Sequence, residues 1–284
     1  MTVYLKLIFG ILVLSWSSIL IRWMGDIHPL IITFYRLAFS CLIILLLIKN
    51  PVKSVIAASN KHYKYLITAG IFLSMHFYTW ITSLQLTTVG NSIFLESTHP
   101  LFGWLLSIVI LREKISKIFI PSFIVAAFGM YFIISGDIQI NDNALTGDFL
   151  AVFSAFFVAA YLIIARILKN DIDFFTYIFI VYGIAAVCTL AIILFKGINF
   201  WQIPMNGWLL LILMAIGPNL IGHSILNWAS RKIPVYNVNM AFLSEAVLAT
   251  IYAAILLEEI PPADFYIGAV LILSSIAGIF IFKK

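Results

Sequence analysis

Apolar stretches of about 20 residues follow one another along this chain, and short loops between them hold most of the charge. A helix needs roughly 20 apolar residues to cross ~30 Å of hydrocarbon. Ten runs meet that length, at about residues 4–24, 30–48, 64–84, 91–111, 117–136, 148–168, 174–195, 207–228, 234–257 and 264–282. Lipid admits only helices and closed barrels, and these runs are too long for barrel strands. The pattern therefore predicts an all-α integral membrane protein with ten transmembrane helices. The first run has Lys6 ahead of its apolar centre but no small-residue cleavage site after it, so it is read as a span rather than a signal peptide.

Composition agrees: 63% hydrophobic residues, 10% charged residues and a mean hydropathy of +1.10 leave too little polar surface to clothe a soluble fold. Cys41 and Cys188 fall inside spans, where a thiol acts as a small buried hydrophobe. The net charge of +5 is scattered over loops, which argues against a nucleic-acid partner. One alternate set of loops holds Lys49, Lys53, Lys61, Lys64, Arg112, Lys114, Lys117, Arg166, Lys169, Arg231 and Lys232; the other holds only Arg22 and Lys196. Positive loops stay on the cytoplasmic side, which places both termini there and the acidic loop with Asp137, Asp142 and Asp148 outside. The expected location is the inner (plasma) membrane.

The chain also repeats itself. Asn91, Phe94, Leu95 and Glu113 match Asn239, Phe242, Leu243 and Glu259 across a two-residue gap. Trp80 matches Trp228, Arg22 matches Arg166, and Ala127-Phe128-Gly129 is similar to Ile276-Ala277-Gly278. With five spans per half, the second copy starts on the opposite face, which makes the repeats inverted. The expected division is 1–138 and 147–284, joined by an outward acidic linker at 139–146.

Ionisable residues inside spans mark substrate or ion pathways. In the fourth span Ser92, Glu96, His99, Gly103 and Ser107 form one polar or small stripe, with Glu96 and His99 as i,i+3 neighbours able to share a proton. Pro100 withdraws a donor from the helix and should free the carbonyl of Glu96 for a ligand or water. Glu245 in the ninth span is the second intramembrane carboxylate, on a face with Tyr252. His76 and Trp80 share a face of the third span, where an imidazole beside an indole can stack a planar ligand or simply fill the core. In the eighth span, Gly217-Pro218-Asn219 predicts a break, with Asn219, His223 and Asn227 on one face.

Four further residues have two readings each. Arg36 either touches the substrate path or snorkels to the headgroups. Trp16 either walls a cavity or packs on a neighbouring helix, and Arg22 with Asp26 forms a gate or an interfacial anchor. Ser122, Ala126, Gly129, Gly268, Ser274 and Gly278 suit close packing of the fifth and tenth spans.

No catalytic group, metal or cofactor is expected. Glu96-Ser-Thr-His99 matches half of a di-iron motif, but a second Glu-x-x-His is missing from the chain. It likewise lacks a His-Glu-x-x-His, a Gly-x-Ser-x-Gly elbow and a phosphate loop.

The glycine-bearing first span with Trp16, the segment from Pro29 to Phe34-Tyr35-Arg36, the ending Leu111-Arg112-Glu113 with its echo Leu257-Glu258-Glu259, and Gly147-Asp148 together resemble the EamA-type branch of the drug/metabolite transporter superfamily. That resemblance implies two inverted five-helix repeats, a central cavity and alternating access. Members move amino acids, sugars, nucleotides, drugs and other small metabolites. The expected function is export of amino acids or related compounds, with protons as the candidate coupling ion and lipid plus a small molecule as partners. Import or exchange of nucleotide-like or phosphorylated metabolites is the alternative, and an intramembrane lipid-modifying enzyme is the rival from another class. Monomer and homodimer both remain open.

Overall fold

The computed structural model describes residues 2–87, 89–114, 116–134, 144–199, 201, 203–258, 261 and 263–281. Asp137, Asp142, Glu259, Lys283 and Lys284 lie outside the described residues, as does most of the expected linker. The described residues form helices and no strands. Helix α1 comprises Thr2–Leu14 and Trp16–Met24, α2 is Pro29–Leu45, α3 is Pro51–Leu86, and α4 comprises Val89–Glu96 and His99–Val109. Phe119–Ile134 is α5, Ala144–Ile167 is α6 and Phe174–Phe195 is α7. Helix α8 runs through Met205–Met214, Ala215–His223 and Ser224–Ser230, α9 through Val235–Phe242 and Ser244–Leu256, and α10 is Ala263–Ile281.

Six of these ten, α1 and α6 to α10, are long and apolar enough to cross a membrane. The other four fall short for identifiable reasons. Helices α2 and α5 have only 17 and 16 residues. Helix α3 carries His76, Thr79, Thr82 and Ser83 in its apolar half, and α4 is split in two.

Helix α3 packs on both α6 and α7, α1 lies on α8, and α4 meets both α6 and α9. Helices α5 and α10 form a separate pair packed at glycines. A Cβ on Gly129 would lie 2.8 Å from the carbonyl oxygen of Gly268, and one on Gly268 would collide with that of Gly129. Side chains here would force the two backbones apart. Gly268→Ala is therefore expected to cost about 1–3 kcal/mol, read as a lower melting temperature in detergent. Gly278→Ala should melt like the parent, because the nearest atom to its added Cβ is Ser122 Oγ at 3.6 Å.

Repetition is visible in the backbone. Helix α4 breaks at Ser97 and Thr98, and α9 breaks at Leu243. Among the described non-glycine residues only Arg112 and Glu258 have positive φ, at 53° and 58°, and they are the middle residues of the two echoed endings.

Helix ends with basic loops come together at one end of the bundle. Lys61 pairs with Asp171 at 3.4 Å. Arg166 donates to Glu113 Oε1 from Nε at 2.9 Å and from Nη2 at 2.7 Å, and from Nη1 to the carbonyl of Ser230 at 3.4 Å. Arg231 donates to the carbonyls of Lys169 and Ile172. At the other end Thr87 donates to Asp148 at 2.9 Å, and His28 Nδ1 caps α2 by accepting from Leu30 N at 3.1 Å. Burial, followed by the charge of Lys196, holds the His28 imidazole below its usual range, in keeping with an acceptor nitrogen.

Candidate functional site

The break in α4 builds the centre of the molecule. Pro100 cannot donate to the carbonyl four residues back, and that carbonyl, on Glu96, accepts instead from His99 Nδ1 at 2.8 Å. The sequence reading left this oxygen for a ligand or water; the imidazole three residues on takes it. Ser97 and Thr98 hydroxyls donate to the carbonyls of Ile93 and Leu95, so the loosened turn keeps its polar groups satisfied.

His99 reaches across to the second repeat as well. Its Nε2 lies 3.0 Å from the carbonyl of Asn239, whose Nδ2 donates to the carbonyl of His99 at 3.3 Å. Both ring nitrogens thus face carbonyl oxygens. A neutral imidazole donates only once, whereas an imidazolium donates to both. Glu96 Oε2, 3.7 Å from Nδ1, is placed as its counter-charge. Gly103 makes this crossing possible, because a Cβ there would collide with Asn239 Nδ2.

Above the crossing lies a small cavity of about 20 Å³, lined by Ser18, Trp80, Ile93, Glu96, Phe242 and Glu245 among others. That space suits about one water, so this conformation is nearly closed around the site. Glu96 Oε1 is buried without a hydrogen-bond partner among the described residues. His76 and Trp80 stack with ring centroids 6.5 Å apart and planes inclined by 6°. Ser154 on α6 anchors His76, with Oγ 2.8 Å from Nδ1.

Arg36 does not snorkel. Its side chain is 0% exposed, with Cζ 3.8 Å from the centre of the Phe77 ring. None of its three guanidinium nitrogens has a hydrogen-bond partner among the described residues. The Phe77 ring also meets His223 edge-on at 4.8 Å, and His223 lies 5.8 Å from His76. Arg36, His76 and His223 therefore form one cluster from three helices.

The predicted break in α8 appears as a wide π-helical stretch over Ala215–His223 around Pro218. Asn219 within it donates to Ser40 Oγ at 2.9 Å and to the carbonyl of Arg36 at 3.2 Å. It fixes the backbone that bears Arg36. Tyr182 donates to the carbonyl of Asn219 at 3.1 Å, closing the clasp from α7.

Other predicted residues stand apart. Asn227 donates to Tyr161 at 2.8 Å, joining α8 to α6. Trp16 is 37% exposed and packs on Tyr252, whose hydroxyl donates to the carbonyl of Leu12 beside the break in α1. Arg22 and Asp26 are exposed. Of the α4 stripe, Glu96 and His99 line the cavity, whereas Ser92 accepts from Ser83 at 2.8 Å.

Sequence reasoning passed over Ser154 and Tyr182, whose roles appear only when the helices are packed. Asn239 had a usable signal, since it opens the repeated stretch.

A bundle of apolar helices that buries Arg36, Glu96 and three histidines at its centre, with Glu96, His99 and Glu245 lining a small cavity, belongs to the multi-pass membrane transporters of small molecules. More narrowly, the chain belongs to the EamA-like transporter family, whose sequence pattern matches residues 1–135 and 145–281. It is 22% identical over 277 residues to human (Homo sapiens) solute carrier family 35 member G1, covering 93% of this chain and 74% of that protein. One solved crystal structure superposes with a TM-score of 0.77 at 17% identity, covering 98% of this chain and 96% of the other, a likeness of fold.

Proposed function

We propose that this chain is a secondary active transporter that crosses the plasma (inner) membrane ten times in two inverted repeats, 1–138 and 147–284 joined by 139–146. Both termini are cytoplasmic in this reading, and the bundle end that gathers Glu113, Arg166 and Arg231 faces the cytoplasm, because it carries the basic loops. The protein moves amino acids or related small metabolites outward by alternating access, with a proton as the coupling ion.

One observation carries the reading: the buried Glu96 and His99 pair sits at a helix break, lines the cavity with Glu245, and is bonded to the opposite repeat through Asn239. Rocking of one repeat against the other necessarily changes the surroundings of this pair. The unpartnered Glu96 Oε1 suits a substrate ammonium, and Trp80 over His76 walls the pocket.

Counterflow in proteoliposomes tests it. Vesicles are preloaded separately with amino acids, nucleotides or sugar phosphates, and entry of the matching labelled tracer is followed with and without a pH gradient. Tracer accumulation in the amino-acid pool alone is expected. Accumulation only with nucleotides or sugar phosphates would replace this substrate class with the phosphorylated one, which the buried Arg36 favours. Silence in all pools from folded, inserted protein would count against transport of any of these classes and return weight to lipid chemistry, which family membership otherwise disfavours.

A further inference from the structure

Among the described residues Arg36 is a charge buried without a hydrogen-bonded counter-ion, an arrangement that membrane interiors penalise heavily. The Phe77 ring covers the guanidinium face, but the N–H donors lie in the guanidinium plane and remain unused. The titratable groups within electrostatic reach of Arg36 are Tyr182 from α7, Glu245 from α9, His76 from α3 and His223 from α8. Glu245 is itself faced by Glu96 from α4, and His99 of α4 acts on His76. Of the groups facing Arg36, Glu245 is the one carboxyl. It acts on Arg36 through space, since no guanidinium nitrogen has a hydrogen-bond partner among the described residues. Glu245 is also half-buried and lines the cavity, so a bound molecule meets it directly.

We infer that Arg36 receives a carboxylate of the transported molecule, which replaces Glu245 as its counter-charge, and that Glu245 takes up one proton as this happens. The exchange makes no covalent bond except the O–H formed on Glu245, with the proton drawn from the compartment to which the cavity is open. Before binding, Arg36 and Glu245 sum to zero. Afterwards Arg36, the ligand carboxylate and neutral Glu245 again sum to zero. A buried carboxylate that has lost its counter-charge takes a proton rather than stay ionised, which enforces the exchange. A phosphate dianion would bring a second negative charge beside Glu96 and Glu245 and break this balance. The carboxylate and the proton therefore cross together. Efflux of the metabolite then runs down its own gradient, carries one proton with it, and is accelerated by acid on the loaded side. This inference rests on the transport reading but not on amino acids as substrates.

The test uses the full chain in weakly buffered detergent solution, with binding read by thermal shift and proton uptake by a pH dye. Probes are L-alanine, L-leucine and L-phenylalanine, their amides, their des-amino acids, and inorganic phosphate. Carboxylates are expected to bind and amides to fail, with about one proton taken up per molecule bound and affinity rising about tenfold per pH unit of acidification. Arg36→Gln should weaken binding on the order of 100-fold. Because that variant removes a buried group and can fail to fold, the near-isosteric Glu245→Gln is decisive: it should bind carboxylates with pH-independent affinity and no proton uptake. Equal binding of amides, binding of phosphate alone, binding of no probe, or unchanged proton uptake in Glu245→Gln would overturn the inference. Amino acids that bind without proton uptake would remove it and leave amino-acid transport standing. Des-amino acids that bind with uptake while amino acids fail would do the reverse.

Discussion

Glu96→Gln is expected to lower amino-acid counterflow by at least 100-fold while the protein still folds and inserts. The substitution keeps shape and hydrogen-bonding reach but removes the charge. Two consequences follow from where Glu96 sits. Its buried Oε1 ceases to be an anionic acceptor for a substrate ammonium, and His99 loses the counter-charge 3.7 Å from Nδ1. Removing one partner of a buried ion pair costs roughly 3–5 kcal/mol, which corresponds to about two to four orders of magnitude in the population of the state that needs it. Asn239 carries the damage to the second repeat, because its carbonyl lies 3.0 Å from Nε2 of the imidazole whose other face Glu96 meets. Glu96→Asp should retain part of the activity. Uptake kinetics and pH dependence unchanged in Glu96→Gln would remove Glu96 from the transport pathway, whatever the substrate is.

The fold was legible because its determinants are one-dimensional. Apolar run length set the helices, loop charge grouped their ends, and the echo of Leu111-Arg112-Glu113 in Leu257-Glu258-Glu259 anticipated the paired positive-φ residues that end α4 and α9. Glu96, His99 and Glu245 were legible for the same reason, since charge inside an apolar run is conspicuous. Arg36 was only half legible. Seven residues into α2 it is close enough to the headgroups to snorkel, and only the packing of Phe77 over its guanidinium shows that it turns inward. Partners such as Ser154 for His76, or Gly103 for Asn239, depend on which helices cross, and helical periodicity does not contain that information. Asn227, Trp16 and Tyr252 lie on helix faces that a sequence assigns equally well to a cavity or to a helix contact; the structure uses them as contacts.

Breaking the Glu113–Arg166 pair should unlock the end of the bundle where the basic loops gather. This pair joins the loop just after the first repeat's α4 to α6 of the second, and Arg166 adds a bond to the end of α8 through the carbonyl of Ser230. The side chains are only 13% and 21% exposed, so water screens them weakly. Directly inward, Asn239 fills the space over Gly103, and the cavity lies beyond that seal. Opening this end must separate α4 from α6 and α8, and therefore must break both contacts. Charge-assisted bonds of this kind contribute about 1.5–3 kcal/mol, so Arg166→Gln should raise the population open at this end about 10- to 150-fold. The readout is labelling of a Ser107→Cys variant by a membrane-impermeant maleimide, with Cys41 and Cys188 replaced by alanine. Ser107 is 0% exposed below the seal, so it labels slowly while the end is closed. Labelling from the cytoplasmic side should accelerate in Arg166→Gln and in Glu113→Gln, and the reversed pair Glu113→Arg with Arg166→Glu should restore much of the protection. Equal acceleration in the reversed pair would show that shape rather than charge holds this end shut.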